Sequence, residues 1–231
     1  MSNIYYGCNE APQNWERYFH ECTLLELDLD SFDDVPKIST LNSWRVDSPR
    51  GFAFVLHLTD GFVDALVDQR THASAELTDE LVEAWETTLE RSQALAAKAL
   101  ILQTPAEFSP GPVSRGLIEK VADELADDVN PRLIWESHGL WQTGDTRDFA
   151  EDLGLAYAID PFIAFREEIE FTRGDGCFVL TERAALRRKY DQYDMERLIR
   201  WSEPYDRVFA LLRGRFKWDH ARELRHALEY A

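Results

Sequence analysis

Phe52-Ala53-Phe54-Val55-Leu56-His57 runs through five apolar residues without a break and ends on a histidine. A strand with one wet face alternates apolar and polar residues, whereas a continuous apolar run needs cover on both faces. Val208-Phe209-Ala210-Leu211-Leu212-Arg213 repeats the pattern near the other end of the chain. Both runs read as strands of a parallel sheet sandwiched by helices. Both finish on a polar side chain, which marks the strand end as the place to look for chemistry.

Working outward, the same reading predicts strands at Ile4–Cys8, Leu24–Asp30, Phe52–Leu58, Ala99–Thr104, Arg132–Ser137, Leu155–Asp160, Cys177–Thr181 and Arg207–Leu212. Each is short and rich in β-branched, aromatic or leucine residues. Between them fall helical patterns. In Thr78–Lys98, Leu81, Trp85, Leu89 and Leu95 recur near helical spacing, and in Pro112–Leu125, Leu117, Val121 and Leu125 lie four apart. Thr146–Leu153, Asp194–Trp201 and Trp218–Tyr230 complete the set. Parallel strands need right-handed crossovers, and eight strands in one chain of this size close into a single (β/α)8 barrel, a TIM-like domain spanning residues 1–231. The rival, a doubly wound open sheet, lacks its Gly-x-Gly-x-x-Gly after the first strand. Gly174-Asp175-Gly176 precedes a strand and reads as a turn. Helical periodicity is weakest at residues 58–76 and 161–176, so an irregular or shortened unit is expected there.

The chain has 231 residues, with 25 Lys and Arg against 43 Asp and Glu, a net charge of −18. That balance argues against a duplex-DNA partner, because neutralising phosphates needs a basic surface. No apolar run reaches the ~18 residues of a membrane span. Met1-Ser2-Asn3-Ile4-Tyr5-Tyr6 has neither the basic nor the apolar region of a signal peptide. The three cysteines, Cys8, Cys22 and Cys177, are too few for a disulfide framework, so a reducing cytoplasm is expected.

Several segments, in order, resemble the YecE-like family, domain-of-unknown-function family 72. Tyr5-Tyr6-Gly7-Cys8 is similar to that family's first strand. Trp15, Tyr18-Phe19 and Leu25-Glu26 are similar to its first helix and second strand. Ser31-Phe32 with Pro36, and Trp44 with Pro49-x-Gly51-Phe52-x-Phe54, are similar to the segments leading to its third strand. Leu102-Gln103-x-Pro105 resembles the end of its fourth strand, and Trp135-Glu136-Ser137-His138-Gly139-Leu140-Trp141 the segment after its fifth. The resemblance implies a TIM-like barrel; the family has no established activity to carry over. The chain departs from the family where Lys is common at the third strand end (here His57) and Arg after the fifth (here His138). Phe178-Val179-Leu180-Thr181-Glu182-Arg183 lacks an in-strand Arg, and Leu212-Arg213-Gly214-Arg215 replaces a Phe-Asn-Asn-like end. A divergent member is implied.

TIM barrels place their chemistry at the C-terminal strand ends. That filter selects Asn9, Glu10, Glu26, Asp28, Asp30, His57, Gln103, Glu136, His138, Asp160, Thr181, Glu182, Arg213 and Arg215. Glu26, Glu136, His138 and His57 are the candidate catalytic residues, and Gln103, Trp141, Arg213 and Asp160 the candidate ligand-binding ones. Glu26, Asp28 and Asp30 share strand parity, so carboxylates from two strands and imidazoles from two others could also meet a divalent metal. Arg213-Gly214-Arg215 suits a phosphate or carboxylate, or an ion pair with Glu182 or Glu10. Arg183 with Arg187-Arg188-Lys189 reads as a solvated helix face. Most tryptophans read as core; Trp141, in a loop after a strand, could cover a ligand. Cys8 has no setting that lowers a thiol pKa. Glu136 is expected to be buried and to contact His57, His138, Gln103 or Arg213. Two functional classes follow. One is an enzyme using carboxylate and histidine acid–base or metal-assisted hydrolytic chemistry on a small polar or anionic ligand. The other is a non-catalytic ligand-binding or interaction barrel with an eroded site. Residue pattern assigns no cofactor, no metal and no oligomeric state.

Overall fold

A computed structural model describes residues 3–72, 74–126, 130–141, 143–163, 174–181 and 189–230. The strands are β1 (Asn3–Cys8), β2 (Leu24–Leu27), β3 (Ala53–His57), β4 (Ala99–Thr104), β5 (Arg132–Ser137), β6 (Ala156–Ile159), β7 (Asp175–Leu180) and β8 (Arg207–Leu212). They form one sheet in the order β1-β8-β7-β6-β5-β4-β3-β2, with every recorded neighbour pair parallel. That is the strand order of a TIM-like (β/α)8 barrel, as the apolar runs predict. The described helices are α1 (Trp15–Glu21), α2 (Ile38–Asp47), α3 (Asp60–Thr71), α4 (Asp79–Leu95), α5 (Pro112–Lys120, continuing as a π-helical turn Val121–Ala126), α6 (Thr143–Asp152), α7 (Gln192–Ser202) and α8 (Lys217–Glu229).

Two compact units divide the chain. One comprises residues Met1–Leu27, Pro49–Ala53 and Ala158–Ala231, the other Asp28–Ser48 and Phe54–Tyr157. In the first unit β1, β7 and β8 carry a core of Cys8, Phe178 and Val208 to Leu212, closed by Tyr18, Met195, Leu198, Ala221 and Leu224 from the helices. In the second, β3, β4 and β5 contribute Phe54 to Leu56, Leu100 to Leu102, Ile134 and Trp135, covered by Phe62, Leu66, Leu81, Trp85, Leu117 and Ile118.

Three expectations need correction. The greater part of the segment at 58–76 is a regular helix. It forms α3, capped by the Thr59 hydroxyl, which accepts from the Phe62 N–H, and it buries only Phe62, Ala65 and Leu66. So narrow a stripe is faint in sequence. Helix α2 is fainter still, because Leu41 is its one buried residue. Strand β2 stops at Leu27, so Asp28 and Asp30 do not share a strand face with Glu26; instead Asp28 Oδ1 accepts the Asp30 N–H at 3.1 Å and turns the chain. Only Gly174 of Gly174-Asp175-Gly176 is in a turn, at φ +80°. Asp175 and Gly176 start β7 because Arg207 grips the Asp175 carboxylate across the ladder and the Tyr205 ring leaves no room for a Cβ on Gly176. Residues 164–173 of the other weak segment, Glu182, and Arg183 with Arg187 and Arg188, lie outside the described residues.

The first unit is pinned by one phenol. Tyr18 is fully buried; its hydroxyl accepts the Cys8 N–H at 2.8 Å and faces the Leu24 carbonyl at 2.7 Å. This ties α1 to β1 and β2 at once. The approach is so close that a Cβ on Gly7 would come 1.7 Å from the Leu24 oxygen. Removing the hydroxyl strips two buried main-chain groups of a partner. Tyr18→Phe is therefore expected to cost about 2 kcal/mol. Gly7→Ala, which forces backbone apart, is expected to cost about 3 kcal/mol. Both should appear as a lowered urea midpoint with an unchanged m-value.

Candidate functional site

The second unit gathers several of the predicted residues. Parallel register sets Gln103 of β4 beside Glu136 of β5, and His57 beside Ile101. Glu136 lies one residue before the end of β5 and its side chain is 8% exposed. His138 extends the ladder by donating its N–H to the Thr104 carbonyl at 3.1 Å. Its ring then lies half-exposed above the carboxylate, with Nε2 3.5 Å from Glu136 Oε1 and 3.1 Å from the Gln103 amide nitrogen. At Gly139 the chain turns with φ +83°, and a Cβ there would meet the Ala106 oxygen at 2.6 Å. Glu136 is thus buried and contacts His138, as the sequence predicts.

His57, Gln103 and His138 line a cleft of about 290 Å³, together with Asp28, Leu58, Asp60, Val63 and Pro105. Asp60 heads α3, and its N–H is held by Asp30 Oδ2 at 2.8 Å; Asp30 in turn meets Arg91 Nη1 at 3.4 Å. Desolvation, and then the neighbouring carboxylates of Asp28, Asp30 and Asp64, hold the Asp60 carboxyl above its ordinary pKa, while His57 opposes them. Asp60 is absent from the sequence-derived candidates because its helix was not read there. The signal that could have found it is Thr59-Asp60, a capping threonine followed by a first-turn acid.

The remaining candidates have structural partners of their own. Glu26 is 1% exposed and accepts from Arg213 through Nε at 3.0 Å and Nη2 at 2.6 Å, inside the first unit. Arg213 thus binds Glu26, while Glu10 takes Lys217 at 2.6 Å. Trp141 is buried. Its indole N–H donates to the Phe108 carbonyl at 2.6 Å, its ring lies at 81° to Trp135, and Arg115 sits over it at 5.6 Å. Asp160 accepts the Phe162 N–H at 2.9 Å and closes a turn. Among the described residues, no three His, Cys, Asp or Glu side chains are grouped to hold a metal ion, so the metal-assisted reading finds no ligand set there. Cys8, Cys22 and Cys177 are buried thiols; the hydrogen bond with Cys8, then burial, push Cys22 far above the ordinary thiol range. No described helix is long and apolar enough to cross a membrane.

The order and parallel pairing of the eight strands define a TIM-like barrel. No family model matches the chain, and no curated protein matches it in sequence. Its fold is similar to that of solved DUF72 family proteins. One from Thermotoga maritima has a TM-score of 0.72 at 15% identity, covering 98% of this chain and 99% of that one. Another from Enterococcus faecalis has a TM-score of 0.72 at 14% identity, covering 100% and 99%. A xylose isomerase domain containing protein from Salmonella typhimurium follows at a TM-score of 0.59 and 14% identity, covering 98% and 95%. The likeness is one of fold, and it is consistent with a divergent DUF72, or YecE-like, member.

The two buried glutamates are expected to respond differently to removal of charge. Glu26→Gln removes the buried carboxylate charge that faces the Arg213 guanidinium at 2.6 Å, and is expected to cost about 3 kcal/mol or more. Glu136→Gln keeps shape and hydrogen-bonding capacity beside a half-exposed imidazole, and is expected to cost no more than about 1–2 kcal/mol. Chemical denaturation of both variants checks the contrast. Asp60 supplies a pH test. Its raised pKa means that folding favours the protonated acid, a contribution present below the unfolded value of ~3.9 and lost as pH rises through the folded pKa. Asp60→Asn should match the parent's melting temperature in acid and exceed it above the carboxylate range.

Proposed function

We propose that the chain is a single TIM-like barrel domain that binds a small polar ligand in the cleft formed by Asp28, His57, Asp60, Gln103 and His138. One observation carries the reading: a buried carboxylate, Glu136, holds a half-exposed histidine at the rim of a polar cleft. An imidazole takes and gives a proton near neutral pH. Contact with Glu136 favours the proton on Nε2, and a donated amide hydrogen from Gln103 favours it on Nδ1, so the pair stands ready for proton transfer in either direction. Glu136 is the positioning residue; His138 is the group that would exchange a proton with the ligand. His57 and Asp60 supply a second donor–acceptor pair on the lining.

Among the described residues, the lining contains two carboxylates, two imidazoles and an amide, and no lysine or arginine. That chemistry suits a ligand bearing hydroxyl or amino groups better than an anion. Arg213, the sequence-based candidate for an anion, is engaged by Glu26. The competing reading, a barrel without catalysis whose site has eroded, draws support from the structural employment of Glu26, Arg213, Trp141 and Asp160.

Thermal-shift and calorimetric titration with sorbitol, glucosamine and inorganic phosphate tests the proposal. Saturable stabilisation by sorbitol or glucosamine, lost in His138→Ala and Gln103→Ala, is the expected result. Binding that ignores both substitutions, or a response to phosphate alone, would overturn it.

A further inference from the structure

The first unit has a cleft of its own, of about 380 Å³, that shares no residue with the His138 cleft. It is lined by the β1–α1 loop (Glu10 to Asn14), by Arg17 of α1, and by Trp218 and Arg222 of α8. In a chain of net charge −18, its polar lining is unusual. The one carboxylate on it, Glu10, is already neutralised by Lys217 at 2.6 Å, and Lys217 also reaches Asn9 Oδ1 at 3.3 Å. Among the described residues, Arg222 has only a long, solvent-exposed contact of 3.5 Å with Asp219, a carboxylate that Lys189 also approaches at 3.7 Å. Arg17 makes no ion pair among the described residues, although its backbone N–H donates to the capping Asn14 side chain.

A flat aromatic wall completes the lining. Trp218 lies at 83° to Tyr18, with ring centroids 5.5 Å apart, and Tyr18 is itself locked by the hydrogen bonds that hold α1. The indole is therefore set in place before any ligand arrives. Trp218 belongs to the first turn of α8, which starts at Lys217.

From this geometry we infer that the cleft is a second binding site, for a ligand that joins an anionic group to a planar ring. The guanidiniums of Arg17 and Arg222 take the anion, and Trp218 takes the ring. The inference is independent of the reading of the His138 cleft, because the two share no residue. Two sources fit that chemistry, an aryl phosphate ester and an aryl carboxylate.

Calorimetric titration of the whole chain with phenyl phosphate, benzoate and inorganic phosphate tests it. One of the two aryl anions is expected to bind saturably at one equivalent, and more tightly than inorganic phosphate. Phenyl phosphate alone would identify a phosphate site, and benzoate a carboxylate site. Arg17→Ala and Arg222→Ala, both at exposed positions, should each weaken binding about tenfold without moving the melting temperature. Trp218→Leu should erase the preference over inorganic phosphate. No saturable binding by either aryl anion, affinity unchanged in both arginine variants, or binding that vanishes in His138→Ala would overturn the inference.

Discussion

A parallel strand buried on both faces has room for charge only at its ends, and a charge placed there must be met. Every strand of this protein obeys that constraint. The interiors are Val, Leu, Ile, Ala, Gly, Cys and aromatic residues, and the buried carboxylates Glu26 and Glu136 appear within a residue or so of a strand terminus. An unpartnered buried charge is strongly disfavoured. The fold therefore has to supply each of these two glutamates with a partner, and the kind of partner decides what each can do.

Glu26 receives a guanidinium. Arg213 is always charged, its fork matches the carboxylate, and only 12% of its side chain is exposed. Such a pair exchanges no proton, and it ties the end of β2 to the end of β8. Glu136 receives an imidazole that is half in water and also within reach of an amide. The same residue type, at the same kind of position, is structural in one unit and a candidate for chemistry in the other.

The chain also shows how an acidic protein can keep locally cationic surface. Lys217 is spent on Glu10, and Asp219 is shared between Lys189 and Arg222. What is left over is guanidinium beside a fixed indole. Net charge argues about long-range steering and bulk partners; it says little about a cleft whose own carboxylate is already neutralised.

All eight strands could be read from the chain, because burial on both faces writes itself as a continuous apolar run. The long helix α4 could be read because its apolar stripe is wide. Helices α2 and α3 could not, because each buries so few side chains that periodicity disappears into polar sequence. At the site, the pairing of Glu136 with His138 was legible because residues two apart along an extended chain share a side. Asp60 was not, since its helix was invisible. The partner of Arg213 was not either, because it lies 187 residues away along the chain. Local pattern determined which residues are buried and which stand at strand ends. Only the tertiary structure decided which charge meets which, because ion pairing depends on distance in space, and the register that sets that distance comes from packing the whole sheet.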